Sequence, residues 1–155
     1  MSRNKLIFEL IDAIRASQRA TDLVDETAAN YLGINRTDAR ALDVIEQYGP
    51  ITAGKLAKEL RLSTGAVTTL VDRLERAGYA RRVRDAGDRR RVLVEATPAL
   101  RRLAAKVYGT PAEAVRAFDG YTDKDLELLI RFLRGSVEWN EARLERMAAM
   151  RAEKS

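Results

Sequence analysis

Residues 61–97 constrain the fold of this chain more than any other segment, because a helix with one apolar face is followed at once by an arginine-rich hairpin. Ser63 is placed to cap that helix, since its hydroxyl can accept a hydrogen bond from a free backbone N–H of the first turn. Gly78 is placed to end it in the left-handed conformation. Apolar residues between them recur at i, i+3, i+4 and i+7, the spacing of one helical face: Val67, Leu70, Val71 and Leu74.

The other faces of this predicted helix (63–77) are polar, with small hydroxyl residues near its start. They carry Thr64, Gly65, Thr68, Thr69, Asp72, Arg73 and Arg76. A short polar helix of this kind suits insertion into the major groove of DNA. The hairpin then concentrates six arginines within eleven residues, which suit the phosphate backbone or the adjacent minor groove. The pattern therefore indicates DNA binding.

Two shorter helices are predicted before this one. The first covers 36–48, with Asn35 as its cap, and it ends at a Gly-Pro pair because proline disfavours helical backbone in the residue before it. The second covers 53–60, with Thr52 as its cap, and only a tight turn separates it from the polar helix. Short helices joined by so brief a turn and set against a third helix are typical of a helix-turn-helix.

The arginine-rich segment is predicted to form a wing, that is, a β-hairpin attached to the helix-turn-helix. Tyr79–Arg84 and Arg91–Ala96 are strand-like runs on either side of a turn at 85–88. Ordering the side chain of Arg90 costs up to ~2 kcal/mol of entropy. A carboxylate two residues before, Asp88, can hold its guanidinium in one direction through a bidentate pair. The alternative is a surface salt bridge of little energetic value.

Long amphipathic helices are predicted at both ends of the chain. Their segments are 3–32, 98–108, 111–118 and a final helix opened by Thr122, with a break at Gly109–Pro111. The central unit is too small to cover their apolar faces, and such faces mark association surfaces. We therefore expect a homodimer held by residues 1–34 and 98–150. A monomer that packs its own termini together is the alternative.

The predicted fold class is mainly α with a small β wing. Residues 1–34 form an N-terminal dimerisation helix, residues 35–97 a winged helix-turn-helix DNA-binding domain, and residues 98–155 the C-terminal dimerisation helices. The formal charge of +5 agrees with this division, since residues 35–97 hold 13 Lys and Arg against 9 Asp and Glu.

The composition excludes several classes of function. The chain has no cysteine and no histidine. This excludes disulfides, thiolate redox sensing and catalysis by Cys/His or Ser/His pairs, and it argues against a transition-metal site. We therefore expect no metal, no cofactor and no enzymatic activity. Because no apolar run approaches the ~18 residues of a membrane span, we expect a cytoplasmic protein without a membrane partner.

In three segments the chain resembles the multiple-antibiotic-resistance regulators, or MarR family, of winged helix-turn-helix proteins. The segments are LGINRTDARALDVI, GPITAGKLAKELRLSTGAVTTLVDRLERAGY and DRRRVLVEATP. The last is the most specific, because the family's wing carries Asp-x-Arg followed by an apolar strand, and Asp88 and Arg90 fill that pattern. Ala96 replaces the usual leucine, and Leu100 stands where glycine is common. The resemblance implies a triangular homodimer that binds pseudo-palindromic promoter DNA and usually releases it when a small ligand binds.

The resemblance also implies which residues contact DNA. Ser63 would contribute a phosphate site at the helix N-terminus, and Gly65 would let the backbone come close. At Thr69, where many family members carry arginine, a threonine can instead meet a thymine methyl. The full set comprises Ser63, Thr64, Gly65, Thr68, Thr69 and Arg73 on the helix, Arg84, Asp88, Arg89 and Arg90 on the wing, and Arg36 and Lys55 as phosphate contacts.

An effector cleft is implied in the same way, for a small aromatic or phenolic compound. Its candidate lining residues are Tyr31, Tyr48, Tyr108 and Trp139, for each of which core packing is the alternative. The predicted function is a sequence-specific regulator, most often a repressor that occludes its promoter. A non-specific architectural DNA-binding protein would use the same wing and charge, and competition with random DNA separates the two.

Overall fold

The computed structural model describes residues 2–153, apart from the side chain of residue 152. Helices dominate, and three short strands form one small sheet. The elements in chain order are α1 (Arg3–Leu32), α2 (Arg36–Tyr48), β1 (Ile51–Thr52), α3 (Ala53–Leu60), α4 (Thr64–Arg76), β2 (Ala80–Arg84), β3 (Val92–Ala96), α5 (Pro98–Tyr108), α6 (Pro111–Arg116) and α7 (Asp123–Ala152). The predicted fold class, mainly α with a small β wing, is confirmed.

The helix ends follow the capping residues of the sequence. Ser63 begins α4 with its hydroxyl oxygen accepting the Ala66 N–H, and Gly78 follows α4 with φ of +75°. Both α6 and α7 begin with a capping box, in which a threonine and an acidic residue three positions later exchange hydrogen bonds. The sequence prediction extends α6 too far, since that helix ends at Arg116 and turns replace the expected last residues.

The sheet is antiparallel, with strand order β1-β3-β2. Val94 at its centre lies between Ile51 on β1 and Arg82 on β2. Val94 and Ala96 are buried, whereas Val92, two residues nearer the tip than Val94, is exposed. The base of the hairpin is therefore part of the core, while its outer end projects from the core as a two-stranded ribbon.

The core lies where α2, α3 and α4 pack together and against the sheet. All four residues of the predicted apolar face of α4 are buried, and Leu100 of α5 joins the same cluster. Full burial of each such side chain stabilises the fold by about 1.5–3 kcal/mol. Tyr79 fastens α1 to this core, since its hydroxyl donates to the Leu32 carbonyl at 2.9 Å.

The described residues divide into two compact units: the first ends at Tyr108 and the second begins at Gly109. In the first unit, α1 is mostly exposed, and only Ala28 and Ala29 along it are buried. Its exposed large apolar residues are Leu6, Ile7, Phe8, Leu10, Ile11, Leu23, Val24 and Tyr31. In the second unit, α7 exposes Leu128, Leu129, Ile130, Leu133, Val137, Trp139, Leu144, Met147 and Met150. Within residues 2–153, no helix has both the length and the apolarity that a bilayer crossing requires.

Candidate DNA-binding surface

The exposed face of α4 has hydroxyl groups whose protons are already used inside the helix. Thr68 Oγ1 donates to the Thr64 carbonyl at 3.0 Å, and Thr69 Oγ1 donates to the Gly65 carbonyl at 3.2 Å. Each hydroxyl oxygen keeps lone pairs that can accept, and each methyl group remains available for contact. In a major groove, such side chains can accept from the amino groups of adenine or cytosine, or contact a thymine methyl.

Gly65 leaves the start of this face open. A Cβ built at Gly65 would meet nothing within 4 Å, so no neighbouring atom of this chain requires a glycine there. The backbone N–H groups of the first turn lie at the same end of α4, beside the Ser63 cap. A helix N-terminus with this much free space can approach a phosphate closely.

Arg73 lies in an ion pair within the protein. Its Nε donates to Asp38 Oδ2 at 3.0 Å and its Nη2 donates to Asp38 Oδ1 at 2.6 Å. Asp38 is buried, and the Asn35 side-chain amide also donates to its Oδ2 at 3.0 Å. The hydrogen bond to Asp38 raises the pKa of Arg73, against the opposing effect of burial. The pair fastens α4 to the N-terminus of α2, so Arg73 holds the helix in place and keeps only part of its donor capacity for a ligand.

The tip of the wing is organised by two aspartates. Asp85 Oδ1 accepts the Gly87 N–H at 2.8 Å, and Asp88 Oδ1 accepts the Arg90 N–H at 3.1 Å. The expected bidentate pair is not formed: Arg90 contacts Asp88 through Nε alone, at 3.3 Å. The turn places the backbone of Arg90 so close to Asp88 that one carboxylate oxygen serves both groups. With its side chain 94% exposed, Arg90 is available to a ligand.

Other predicted wing and flanking residues have partners of their own. Arg84 Nη1 donates to the Arg89 carbonyl at 2.9 Å across the hairpin. Arg36 pairs with Asp22 of α1. The Lys55 ammonium lies 4.0 Å from the centre of the Tyr48 ring. These cations are exposed, so each can exchange its partner for a phosphate at small cost, since exposed ion pairs contribute at most about 1 kcal/mol.

Arg82 is a structural residue that the sequence analysis did not single out. It lies on β2 and reaches across to α4, where Nη2 contacts Asp72 Oδ1 at 2.7 Å and Nη1 contacts Glu75 Oε2. Its backbone N–H also donates to Glu75 Oε1 at 2.7 Å. Burial alone would lower the pKa of Arg82, but the hydrogen bond to Asp72 and the charges of both carboxylates raise it. The i, i+3 spacing of the two acids was the available sequence signal.

Two of the four candidate effector residues, Tyr31 and Tyr108, line different clefts of the first unit. Tyr31 lines an apolar cleft of about 580 Å³ between α1 and α5. Tyr108 lines a polar cleft of about 260 Å³ and donates to Asp25 at 3.3 Å. Tyr48 stacks under Lys55, as described above. Trp139 lies on α7 in the second unit, with the Arg143 guanidinium 4.6 Å from its ring centre.

Two groups in the polar cleft have shifted pKa values. Burial and the charge of Asp25 raise the pKa of the Asp43 carboxyl. Burial raises the pKa of the Tyr108 hydroxyl, and Asp25 and Asp43 raise it further. Within the described part of the chain, no group of three or more Asp or Glu side chains is arranged to hold a metal ion.

A helix-turn-helix followed by a hairpin with an exposed arginine at its tip defines a winged-helix DNA-binding protein. Comparison with known proteins gives the family. The sequence model described as "MarR family" matches residues 32–91. The uncharacterized HTH-type transcriptional regulator YcgE of Bacillus subtilis is 37% identical over 147 residues, covering 94% of this chain and 96% of that protein. The multiple antibiotic resistance protein MarR of Salmonella typhimurium is 34% identical over 100 residues, covering 63% and 69%. The chain belongs to the MarR family of transcriptional regulators.

Solved structures agree with this fold. A MarR family protein from Bacillus stearothermophilus superposes with a TM-score of 0.61 at 21% identity, covering 91% of this chain and 99% of that chain. Streptococcus pneumoniae FabT, solved in complex with DNA, gives a TM-score of 0.59 at 26% identity, covering 90% and 98%. The protein is thus a DNA-binding transcriptional regulator and not an enzyme, as the sequence predicts.

Proposed function

We propose that this protein is a homodimeric, sequence-specific repressor that occludes a pseudo-palindromic promoter site. In this proposal α4 enters the major groove, and the wing places Arg90 in the adjoining minor groove. The observation that carries the proposal is the pairing of two features on consecutive elements. One is the polar α4 face with its internally bonded threonine hydroxyls. The other is the solvent-exposed side chain of Arg90 at the tip of the wing.

These two features supply different parts of recognition. The threonines offer acceptors and methyl groups, which distinguish bases by the chemistry of their major-groove edges. The Arg90 guanidinium responds to the negative potential of a narrow minor groove, which is strongest in A/T-rich DNA. Arg36, Lys55, Arg84 and Arg89 add phosphate contacts that fix the register without reading sequence.

Dimerisation is supported by the exposed apolar faces of α1 and α7. A homodimer is two-fold symmetric, so it presents two copies of α4 to one duplex. Half-sites then lie about one helical turn apart, ~10 base pairs. Sedimentation equilibrium tests this part of the proposal, with a mass of twice the 17.4 kDa chain expected. A mass of one chain at micromolar concentration would exclude it.

The effector part of the proposal rests on the apolar cleft that Tyr31 lines. Its volume of about 580 Å³ is in the range of small-molecule sites, which are mostly apolar with a few polar groups. Lys106 lies on its wall and can pair with an anionic or phenolic oxygen. Benzoate and phenol are suitable probes, and either should release DNA from the protein. Lys106→Met should weaken the release by benzoate more than the release by phenol.

The main test is selection of bound sequences from a random duplex pool. We expect a two-fold symmetric consensus whose half-site centres lie ~10 base pairs apart. The protein should hold that site at least ~10³-fold more tightly than random DNA. Equal affinity for all duplexes would favour the architectural alternative and would refute specific repression.

A pair of wing variants tests the minor-groove contact. Arg90→Ala should weaken binding and reduce the preference for A/T-rich flanks. Arg81→Ala is the matched control, because it removes the same charge from the same hairpin. Arg81 differs from Arg90 in its position, since it pairs with Glu95 on the neighbouring strand at 2.6 Å. If both variants lose affinity equally and keep the flank preference, Arg90 acts only as a charge.

A further inference from the structure

The wing and the recognition helix α4 are connected by one residue. Arg82 of β2 contacts two acids that lie three residues apart on α4, Asp72 and Glu75, and so on one side of that helix. Glu75 accepts from both the side chain and the backbone N–H of Arg82. Its carboxylate therefore fixes the strand and the guanidinium together.

This connection lies at the point where the wing leaves the core. Arg82 is in register with Val94, which is buried, whereas the next pair toward the tip that lies on the same side, Arg84 and Val92, is exposed. Beyond Leu93, the last residue of β3 that pairs with β1, the hairpin has only two strands. A two-stranded hairpin is at best marginally stable by itself. The angle at which the wing departs is therefore set by contacts at its base.

We propose that Arg82 is a positioning residue for DNA binding: by bridging Asp72 and Glu75 it fixes the angle between α4 and the wing, so that both reach one duplex together. The inference rests on the proposed function, in which Arg90 contacts the minor groove. A wing held at the correct angle loses less conformational freedom on binding, and this raises affinity without adding a contact to DNA. The residue itself needs no contact with DNA for this role.

Arginine suits this role because its planar fork can bind two carboxylates at once, whereas a lysine ammonium acts as a single point charge. Arg82→Lys therefore keeps the charge, and keeps the backbone N–H that Glu75 accepts, but it removes the bridge. This variant separates positioning from neutralisation of the two acids. If Arg82 only neutralises them, Arg82→Lys will bind as tightly as the original chain, and the inference is wrong.

The first experiment is a double-mutant cycle with Arg82→Lys and Arg90→Ala, measured by fluorescence anisotropy on the selected duplex at fixed salt. Arg90→Ala should lower affinity about tenfold in the original chain. In the Arg82→Lys background the same change should lower it by about threefold or less, since a wing without a fixed angle already makes less use of Arg90. Multiplicative losses would overturn the inference while leaving the proposed function intact.

The matched control is the cycle of Arg81→Lys with Arg90→Ala. Arg81 is the neighbour of Arg82 on β2, but it pairs with Glu95 of β3 and so stays within the hairpin. Its losses should multiply with those of Arg90→Ala. Thermal unfolding of every variant checks that all are folded at the temperature of the binding assay. Equal coupling in both cycles would also contradict the inference.

A second measurement does not depend on DNA. The natural chain has no cysteine, so Ala86→Cys at the wing tip and Arg76→Cys on α4 give a pair of unique labelling positions. Electron–electron double resonance measures the distance distribution between the two spin labels. Diluting the labelled chain with unlabelled chain ensures that the distances are those within one chain. Arg82→Lys should broaden it and Arg81→Lys should not. An unchanged distribution in Arg82→Lys overturns the inference, even if Arg90→Ala fails to affect binding and the minor-groove contact itself is wrong.

Discussion

Removal of the Arg73 side chain should destabilise the protein even without DNA. Arg73→Ala leaves the buried Asp38 carboxylate without its two guanidinium hydrogen bonds, at 3.0 and 2.6 Å. The Asn35 amide then remains as its side-chain partner. Loss of one member of a fully buried ion pair costs about 3–5 kcal/mol. The Arg73 side chain is 39% exposed, so water can enter beside Asp38, and we expect a smaller loss of about 2 kcal/mol.

The assay is urea unfolding followed by far-ultraviolet circular dichroism. All variants are compared at one protomer concentration, because the stability of an oligomer depends on it. Arg76→Ala is the matched control on the same helix, since the Arg76 Nε donates only to the Asp72 carbonyl at 3.2 Å and the residue is exposed. Its effect should stay within about 0.5 kcal/mol.

A double-mutant cycle isolates the pair. Asp38→Ala combined with Arg73→Ala should be less destabilising than the sum of the single variants by about 1 kcal/mol or more, because no charge is then left buried without a partner. Two results would refute the reasoning. One is an Arg73→Ala loss no larger than that of Arg76→Ala, and the other is simple additivity in the cycle.

Three further predictions concern other parts of the chain. Gly65→Ala should leave the free energy of unfolding unchanged or raise it by up to about 1 kcal/mol, because the added Cβ meets no atom of the protein. The same variant should weaken DNA binding, and an unchanged affinity would place the start of α4 away from the DNA. Asp43→Asn should stabilise the protein at pH 7, because the raised pKa of Asp43 means that its charged form is disfavoured in the fold. This gain should disappear as the pH falls through the pKa of Asp43, where the native carboxyl takes up its proton, and a gain independent of pH in urea unfolding would contradict it. The hydrogen bonds from Thr110 lower the pKa of Glu113. The capping box therefore stabilises α6 fully above the usual glutamate pKa, and this stabilisation is lost as the pH falls from there through the lowered pKa of Glu113. Hydrogen exchange should therefore show faster opening of α6 in acid, and Thr110→Val should remove most of that pH dependence.

The element boundaries were accessible from the sequence because capping is local. Ser63, Gly78 and Thr122 each act on backbone groups within three or four residues, so their type and spacing are sufficient to place a helix end. The apolar face of α4 was accessible for a similar reason, since the period of a helix converts a spacing into a direction. Local order and the choice of buried face therefore followed from neighbouring residues.

The candidate site was only partly accessible. The positions of Thr68, Thr69 and Arg90 on exposed surfaces follow from helix periodicity and from the turn, and the structure places them as the sequence predicts. The internal partner of Arg73 does not follow, because Asp38 is 35 residues away along the chain. The single contact between Asp88 and Arg90 also depends on turn geometry that composition does not specify.

The sequence by itself determined the helices, the wing and the polar face that makes this a winged-helix protein, because those features depend on residues within a few positions of one another. Only the tertiary structure decided which charged groups hold α4 in place, Asp38 through Arg73 on one side and Arg82 on the other. It also placed Tyr31 and Tyr108 in two different clefts. The physical reason is that a salt bridge depends on the meeting of two distant segments in space, and burial of the common core brings those segments together.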